Sequence, residues 1–347
     1  MLAGIDTHKD TLAVAVIDPV GRPVEVTELA NTEAGFDDLE ELLTRHQVVR
    51  VGIEGSGNHG RGAAIWLVLG GQLEVVEVPP SLTSRERSSK PGQGKTDPID
   101  AVAIARITAR EPGLPPVRLA IGQAADLRAL ADYRAQLVTE RTALANRTHA
   151  ELHGLLPGYQ VTVPRLTAPT YIAAARALLD GDTGVRSQLT RRRLDRLDEL
   201  TAEIGEVADL IAAAIDTVQT GLTDLYGVGP ISAATILGQV VDVRRYRSRH
   251  AFAAANGTAP LPANSGRTTR RHRLNRSGNR TLNRVLYTMA ITQIRADTEG
   301  RAYYLRKRAE GKTSREALRC LKRRLSDLIY KTLQADLAAQ QRPAPTG

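Results

Sequence analysis

Four acidic residues stand where strand-like or loop-like stretches of the sequence end. Asp6 closes the apolar run LAGIDT, and Glu54 closes the run VVRVGIEG. Asp97 and Asp100 are three residues apart in KTDPIDAVAIAR, a spacing that places both on one face of a helix. Each acid alone is also explained as a turn former or helix cap, so the order of all four carries the argument.

Carboxylates of this kind predict a site for divalent cations. Four of them around one point repel one another strongly unless cations neutralise the charge. Mg²⁺ prefers hard oxygen ligands and keeps room for waters and substrate phosphates. Two such ions about 4 Å apart would clamp both the attacking and the leaving oxygen of a phosphodiester. We therefore predict a site for Mg²⁺, with two ions.

A second candidate for chemistry is the basic stretch of residues 256–287, in which a loop with two serines, Ser265 and Ser277, leads into a helix from Thr281 onward. A serine hydroxyl is a poor nucleophile unless a base or a metal-polarised phosphate activates it, and the loop supplies no dedicated base, although His272 is close in sequence. The local sequence does not distinguish the two serines. We predict that six arginines there neutralise phosphates: Arg267, Arg270, Arg271, Arg273, Arg276 and Arg280.

The stretch LYGVGPISAATILGQV offers a third candidate. Gly227 and Gly229 flank one apolar residue, and Pro230 then opens an Ala/Ile-rich helix. Glycines permit a tight backbone turn, and the N-terminus of the new helix presents free N–H groups to a phosphate. The pattern is similar to the hairpin of helix-hairpin-helix modules, which hold the DNA backbone without reading sequence. The alternative is a glycine-proline helix connection that binds nothing.

The charge distribution favours a polyanionic partner. The whole chain carries a net charge of +9. Residues 241–347 hold 24 Lys/Arg and 7 Asp/Glu, a net of +17, whereas residues 1–240 hold 23 and 31, a net of −8. Arginine dominates the basic third, and its planar guanidinium suits bidentate phosphate contacts. A merely solvated basic surface is the alternative.

The elements that must position the acids follow the order β-β-β-α-β-α-β over the first eighty residues. Three strand-like runs precede an amphipathic helix with Asn31 or Thr32 as its N-cap, and strands and helices then alternate. This order predicts a mixed sheet flanked by helices, in which the first and fourth strands are adjacent and bring Asp6 and Glu54 together. It favours an RNase H-like nuclease fold. Residues 82–96 are polar and basic and predict a mobile loop, whose Lys95 is a candidate substrate contact.

The middle of the chain has helical periodicity. From residue 123 to 218, leucines recur at intervals of seven and a second series follows steps of three and four. The pattern predicts an antiparallel helical arm with a coiled-coil seam, and such a seam predicts an oligomer. Two amphipathic helices packed on a globular core would give a similar pattern. The predicted seam residues are Leu130, Leu137, Leu144, Leu194, Leu197, Thr201, Ile204, Ala208, Ile211, Ile215 and Val218.

Further features bear on the environment of the protein. Cys320 is the only cysteine, so no intramolecular disulfide is expected. The sequence has no run of eighteen apolar residues and no signal-peptide pattern at its start, so we expect no membrane partner. These features predict a cytoplasmic, bacterial-type, nucleoid-associated protein.

The motifs together resemble a known family, the insertion-sequence one-ten family of DEDD-type transposases or site-specific recombinases. The resemblance extends from about residue 2 to residue 330. The motifs that carry it occur in family order: GIDTHKD, VGIEGSG, KTDPIDAVAIAR, LYGVGPISAATIL and GTAPLPANSGR…RSGNRTLNRVLY.

The resemblance implies a RuvC-like N-terminal domain, a coiled-coil arm and a C-terminal transposase domain. It places the acidic tetrad of the family on Asp6, Glu54, Asp97 and Asp100, and its strand-attacking serine on Ser265 rather than Ser277. It also implies that a structured non-coding RNA, the bridge RNA, pairs with target and donor DNA. One departure is the stretch EGSGNHG, with Asn58 and His59 where family members commonly have an aromatic residue; we interpret His59 as an ordinary loop histidine.

These observations define the expected protein. It is an RNA-guided transposase that cuts and exchanges DNA strands with a Mg²⁺-bound tetrad and Ser265, acting as a dimer or, in the synaptic complex, a tetramer. The rivals are a Holliday-junction-type nuclease that uses water, and a non-catalytic RNA- or DNA-binding protein. The expected domains are a nuclease domain (1–120), a coiled-coil arm (121–220), a transposase domain (221–336) and a disordered tail (337–347).

Overall fold

The computed structural model describes residues 1–88, 96–262, 272–274 and 278–341. The chain divides into two compact units, Met1–Leu119 and Ala120–Gly347. Across the described ranges, no helix has the length and apolar character that would let it span a membrane.

The first unit is an α/β layer built on a five-stranded sheet of order β3-β2-β1-β4-β5. Strand β1 pairs antiparallel with β2 and parallel with β4, and β4 pairs parallel with β5. The predicted mixed sheet with adjacent first and fourth strands is thereby confirmed. Its elements are β1 (Leu2–Thr7), β2 (Thr11–Ile17), β3 (Pro23–Ala30), α1 (Glu33–Arg45), β4 (Arg50–Ile53), α2 (Arg61–Gly70), β5 (Glu74–Glu77), α3 (Pro80–Ser88) and α4 (Asp97–Arg110).

Two strand glycines allow helix α4 to lie directly on the sheet. A Cβ on Gly4 of β1 would stand 2.2 Å from the backbone nitrogen of Ala105. A Cβ on Gly52 of β4 would stand 1.8 Å from the hydroxyl of Thr108. Any side chain at these positions would push the helix away, so the glycines fix how closely α4 approaches β1 and β4.

A buried arginine holds the other end of α4. The guanidinium of Arg50 donates to the carbonyls of Thr108 (2.7 Å) and Glu111 (3.2 Å), and it forms an ion pair with Glu74 at 3.2 Å. Carbonyls at a helix C-terminus lack partners within the helix, and a cation there satisfies them and complements the helix dipole. Helix α4 is therefore fixed at its C-terminal end as well as along the sheet.

The expectation of a loop over residues 82–96 is wrong in its first half, because α3 continues to Ser88. The segment is polar in composition, but Thr83 is buried and Leu82 packs against a small core that includes Val78 and Ile104. Tertiary packing of these few residues outweighs the polar local pattern. Lys95 lies outside the described residues.

Where it is described, the second unit is helical apart from a small two-stranded ribbon. Its main core gathers apolar residues from most of its helices, including Leu127, Leu200, Phe252, Met289 and Leu325. Its elements are α5 (Gln123–Leu155), α6 (Pro169–Ala177), α7 (Val185–Asp216), α8 (Pro230–Val240), α9 (Arg249–Ala255), β6 (Pro260–Pro262), β7 (His272–Leu274), α10 (Arg280–Arg295), α11 (Glu299–Ala309) and α12 (Ser314–Gln340). Helix α12 extends to Gln340, which is four residues into the expected tail.

The long helices α5 and α7 pack against each other, but the buried face of α7 differs from the predicted seam. Leu200 and Val207 are buried, whereas the predicted seam residues Thr201 and Ala208 are half-buried. A nearly straight helix of 3.6 residues per turn drifts from a strict seven-residue repeat, and α7 also packs on α8. Because α5 covers the apolar face of α7 within the same chain, this face by itself no longer requires a second protomer.

Candidate metal site and nucleic-acid surfaces

The parallel pairing of β1 and β4 places Asp6 and Glu54 at the same edge of the sheet. Asp6 is near the end of β1, and Glu54 follows the last residue of β4. The backbone N–H of Glu54 donates to the carbonyl of Ile5 at 3.1 Å, so the ladder continues to the acid itself. Both carboxylates therefore leave the sheet at the carboxyl ends of adjacent strands.

Helix α4 brings the other two acids to the same edge. Asp97 and Asp100 lie in its first turn, after the N-cap residue Thr96. Asp100 is 3% exposed, whereas the side chain of Asp97 is 40% exposed. The close approach of α4 to β1 at Gly4 sets the distance of this turn from Asp6.

The electrostatics of Asp6 show that the four acids form one cluster. Burial raises the pKa of Asp6 above its ordinary value. The protonated form of His8 would oppose this shift, whereas the charges of Asp100, Glu54 and Asp97 raise the pKa of Asp6 further. Each of the other three predicted ligands is thus close enough to repel the Asp6 carboxylate, and a divalent cation would relieve that repulsion.

His8 belongs to this cluster, which the sequence analysis missed. Its Nε2 lies 3.4 Å from Oδ2 of Asp6 and 3.1 Å from Oδ1 of Asp97. Ligand atoms of these three residues all lie within 4.8 Å of one another, a separation that suits a common metal ion. In the sequence analysis His8 appears only within the motif GIDTHKD, with no role of its own. Its position two residues after Asp6 was the available signal.

Two threonines orient Glu54. The hydroxyl of Thr83 in α3 donates to Oε2 of Glu54 at 2.5 Å, and the hydroxyl of Thr7 donates to the carbonyl oxygen of Glu54 at 2.9 Å. A carboxylate held by a hydrogen bond on one oxygen keeps the other free for a cation. The sequence analysis identified neither threonine, because Thr83 lies in the segment expected to be a loop.

The donor set fits a hard cation. Four carboxylates and one imidazole converge on one edge of the sheet, and oxygen predominates among the atoms they offer. Oxygen-rich sets favour Mg²⁺ or Mn²⁺ over the softer metals that thiolate and imidazole sets favour. His59 does not belong to this donor set. Its carbonyl accepts a hydrogen bond from Asn31 at 2.9 Å, and its side chain is exposed.

The glycine-rich turn before α8 lies in the second unit. Gly227 has a φ of +88°, and a Cβ there would stand 3.2 Å from the carbonyl oxygen of Met289 in α10. Gly229 is the N-cap of α8, and no described atom lies within 4 Å of where its Cβ would be. Gly227 thus permits packing against α10, whereas Gly229 leaves the start of α8 open. Arg280 is exposed and begins α10.

Residues 263–271 and 275–277 of the basic loop lie outside the described residues. This applies to Ser265, Ser277, Arg267, Arg270, Arg271 and Arg276. Arg273 lies in β7, of which only the backbone is described.

One buried network joins the two ends of this loop. Asn256, before the loop, is fully buried; its amide donates to Ser326 at 2.8 Å, and its side-chain oxygen accepts from Thr258 at 2.7 Å. Asn283, after the loop, donates to the carbonyl of Asn256 at 2.8 Å and accepts from Lys322 at 2.5 Å. The loop that contains Ser265 therefore starts and ends on a fixed base.

Further backbone contacts close the same base. The N–H of Asn279 donates to the carbonyl of Ala255 at 2.7 Å, and the side-chain amide of Asn279 donates to Gln239 at 2.8 Å. A Cβ on Gly278 would stand 2.3 Å from the backbone nitrogen of Gly257, so the chain segments before and after the loop are in direct contact. The sequence analysis gave these asparagines no role.

Two family models match separate parts of the chain. A family model for DEDD transposases of the IS110 type, described as a transposase, matches residues 3–157. A second model, described as the transposase IS116/IS110/IS902 family, matches residues 219–305.

Similar proteins span nearly the whole chain. An uncharacterised 44.8 kDa protein of insertion element IS116 from Streptomyces clavuligerus is 27% identical over 95% of this chain and 94% of its own length. An uncharacterised 43.6 kDa protein of insertion element IS110 from Streptomyces coelicolor is 26% identical over 95% of this chain and 93% of its own. The transposase for insertion sequence element IS1111A from Coxiella burnetii is 22% identical over 96% and 89%.

Proposed function

Because this chain belongs to the IS110 family of transposases, we propose that its acidic cluster is the metal-dependent centre that cuts and exchanges DNA strands. The observation that carries this proposal is geometric: Asp6 and Glu54 lie at the carboxyl ends of adjacent parallel strands, and ligand atoms of Asp6 and of Asp97, in the first turn of α4 with Asp100, lie within 4.8 Å of each other. Asp6, Glu54, Asp97 and Asp100 would hold Mg²⁺, as two ions. Bound there, the ions would polarise a phosphodiester and stabilise the charge on its attacking and leaving oxygens.

The residues around the acids would prepare them for this role. Thr83 and Thr7 hold Glu54 in one orientation. Asp100 is buried and Asp6 is half-buried, which limits how far water screens their charges and strengthens their attraction to a cation. His8, between Asp6 and Asp97, would act either as a further ligand or as a hydrogen-bond donor to the acids.

The direct test replaces Asp6 with Asn, which keeps the shape of the side chain but removes its charge. We expect the variant to lose Mg²⁺-dependent strand cleavage while it retains nucleic-acid binding. Cleavage of a DNA substrate with flanking element ends is measured with the element's RNA supplied, and binding by electrophoretic mobility shift. Cleavage at the rate of the unmodified chain would contradict the proposal.

A second part of the proposal concerns Ser265. We propose that its hydroxyl attacks the DNA strand, so that an ester between the serine and a DNA phosphate forms as the phosphodiester breaks and its other oxygen leaves. The support is the family resemblance and the fixed base on which the loop is built. Ser265→Ala should abolish covalent protein–DNA adducts on denaturing gels, with Ser277→Ala as its matched control. Unchanged recombination by Ser265→Ala would favour the rival mechanism, in which water is the nucleophile.

The remaining proposals concern partners. A structured bridge RNA would pair with target and donor DNA, while the basic surfaces of the second unit hold phosphates, including those near Arg280 and the open N-terminus of α8 at Gly229. We also propose that two or more copies assemble on DNA. Light scattering with and without RNA and DNA tests the assembly, since a monomer under all conditions would contradict it.

A further inference from the structure

A fifth carboxylate lies beside the acidic cluster, and the proposed function gives it no role. Glu77 is the last residue of β5 and pairs with Ile53, the last residue of β4. Glu54 follows Ile53 directly. Since β4 and β5 are parallel, Glu77 leaves the sheet next to the turn that starts with Glu54.

The carboxylate of Glu77 is the acceptor for that turn. The hydroxyl of Ser56 donates to it, and the backbone N–H groups of Gly55 and Ser56 face it closely enough to lower its pKa. Ser56 is 7% exposed, so water would not readily replace Glu77 as the acceptor. These polar groups from two consecutive residues form a small anion-binding concavity, and Glu77 fills it from within the fold.

The backbone of this turn depends on its partners to stay in one conformation. Gly55 has a φ of +79°, in the left-handed region that favours glycine, and a Cβ there would stand 2.9 Å from the hydroxyl oxygen of Thr7. A glycine turn loses more conformational entropy on ordering than other residues do, so it needs fixed partners to stay in one conformation. Glu77 supplies those partners on one side and Thr7 on the other.

The arrangement has an electrostatic cost that argues for a purpose. Burial raises the pKa of Glu77, and the charge of Glu54 raises it further, although the donors from Ser56 and Gly55 counteract both. A neutral acceptor such as glutamine at this position would avoid the repulsion of Glu54. A carboxylate instead makes charge-assisted hydrogen bonds, which are roughly twice as strong as neutral ones.

We propose that Glu77 is a positioning residue for the metal site: through Ser56 and the Gly55–Ser56 backbone it fixes the turn that begins at Glu54 and so aims the Glu54 carboxylate at the cation. This inference rests on the proposed function, because it assigns Glu77 a role toward the same metal. Together with Thr83, Glu77 would hold Glu54 from two sides, one acting on the side chain and the other on the backbone.

The test compares three variants of the full chain: Glu77→Ala, Glu77→Gln and Ser56→Ala. Mn²⁺ binding is measured by calorimetry, and the Mg²⁺ concentration that half-saturates DNA cleavage is measured alongside it. We expect Glu77→Ala to weaken Mn²⁺ binding by about 10–100-fold, the usual effect of losing a partner that orients a metal ligand. High Mg²⁺ should restore most of the maximal rate, because the ligands themselves remain. Thermal melts in EDTA confirm folding, and Ser56→Ala, which removes only a hydroxyl, carries the test if Glu77→Ala does not fold.

Ser56→Ala separates positioning from direct ligation. It leaves the Glu77 carboxylate in place but removes one of the links to the turn, so we expect a smaller loss of affinity in the same direction, and Glu77→Gln should lie between the two. If Ser56→Ala binds Mn²⁺ like the unmodified chain while Glu77→Ala does not, then Glu77 ligates the metal directly and positioning is wrong. Glu41→Ala, an exposed acid in α1, is the matched control and should change nothing.

The controls also distinguish failure of this inference from failure of the proposed function. If the unmodified chain binds Mn²⁺ and Asp6→Asn does not, but Glu77→Ala binds normally, only the inference is overturned. If the unmodified chain binds no Mn²⁺, both are overturned.

Discussion

The acidic edge of the first unit and the base of the 263–277 loop in the second unit are held by opposite kinds of interaction. At the acidic edge, burial raises the pKa of Asp6, the charges of Asp100, Glu54 and Asp97 raise it further, and these carboxylates repel one another. At the loop base, the fully buried Asn256 and its partners are neutral amides and hydroxyls that satisfy one another. Like charges gathered in one place weaken the metal-free fold and prepare a cation site, whereas a satisfied neutral network stabilises the fold.

Lys322 is the exception within the neutral network. It is 8% exposed, its ammonium donates to Asn283, and the ring centre of Tyr287 is 6.0 Å away. Burial lowers the pKa of Lys322 below its ordinary value. The two regions therefore also differ in how pH should act on them.

The largest effect should come from the acidic edge. Asp100→Asn removes a buried charge from the cluster, so we expect Mg²⁺-dependent cleavage to fall by at least about 100-fold, the upper end of the loss seen for residues that only support a ligand. Mg²⁺ should raise the melting temperature of the unmodified chain but not that of the variant, since only a folded metal site gains stability from the ion. Asp126→Asn, also in the first turn of a helix, is the control. A normal response of Asp100→Asn to Mg²⁺ would remove Asp100 from the site.

A substitution at the loop base should lower the stability of the fold and leave metal binding unchanged. Asn256→Ala leaves the Ser326 hydroxyl and the Thr258 N–H without their partner, so we expect a loss of about 3 kcal/mol in the free energy of unfolding, since each orphaned buried group costs about 1–3 kcal/mol. Mn²⁺ affinity should stay unchanged. Urea denaturation measures the first and calorimetry the second. Asn146→Ala, on the exposed face of α5, serves as control. Loss of metal binding in Asn256→Ala would show that the two regions are not independent.

A third prediction concerns the distance of α4 from the sheet. Gly4→Ala places a Cβ 2.2 Å from the backbone of Ala105, so we expect a loss of about 2 kcal/mol in stability, within the 1–3 kcal/mol typical of overpacking, and weaker Mn²⁺ binding. Gly113→Ala, where no described atom lies within 4 Å, should leave both unchanged. If Gly4→Ala is destabilised but binds Mn²⁺ normally, then the approach of α4 does not set the metal geometry.

The smallest effect is the pH dependence at Lys322. Between its lowered folded pKa and its ordinary value of 10.5, the unfolded chain holds a proton that the folded chain has released, so stability should rise with pH in that window. The slope from one such group is at most about 1.4 kcal/mol per pH unit. Lys322→Met should lose this rise, as measured by urea denaturation at several pH values, with Lys331→Met as control.

The pH dependence of stability that comes from Asp6 has the opposite sign: in EDTA, stability should fall as pH rises from 3.8 through its raised pKa.

Much of the first unit could be predicted because local patterns and global fold agree there. Apolar strand-like runs, the Thr32 N-cap and the Pro98 helix start all indicate the elements that form. The seam of α7 was harder to predict. Leu200 and Thr201 are neighbours, and either fits a seven-residue repeat about equally well. Packing against α5 and α8 buries Leu200. Helix α3 was missed because its few buried residues, including Thr83, lie in a polar segment.

The sequence by itself determined the order of the strands, the positions of the four acids and the separation of an acidic from a basic part of the chain. These properties follow from residue type and local spacing, which a single chain displays directly. Only the tertiary structure decided that His8 contacts Asp6 and Asp97, that Thr83 orients Glu54, and that Glu77 holds the turn after it. Those contacts join residues from different elements, and their geometry depends on how closely helices such as α4 pack on glycines of the sheet, which no local pattern encodes.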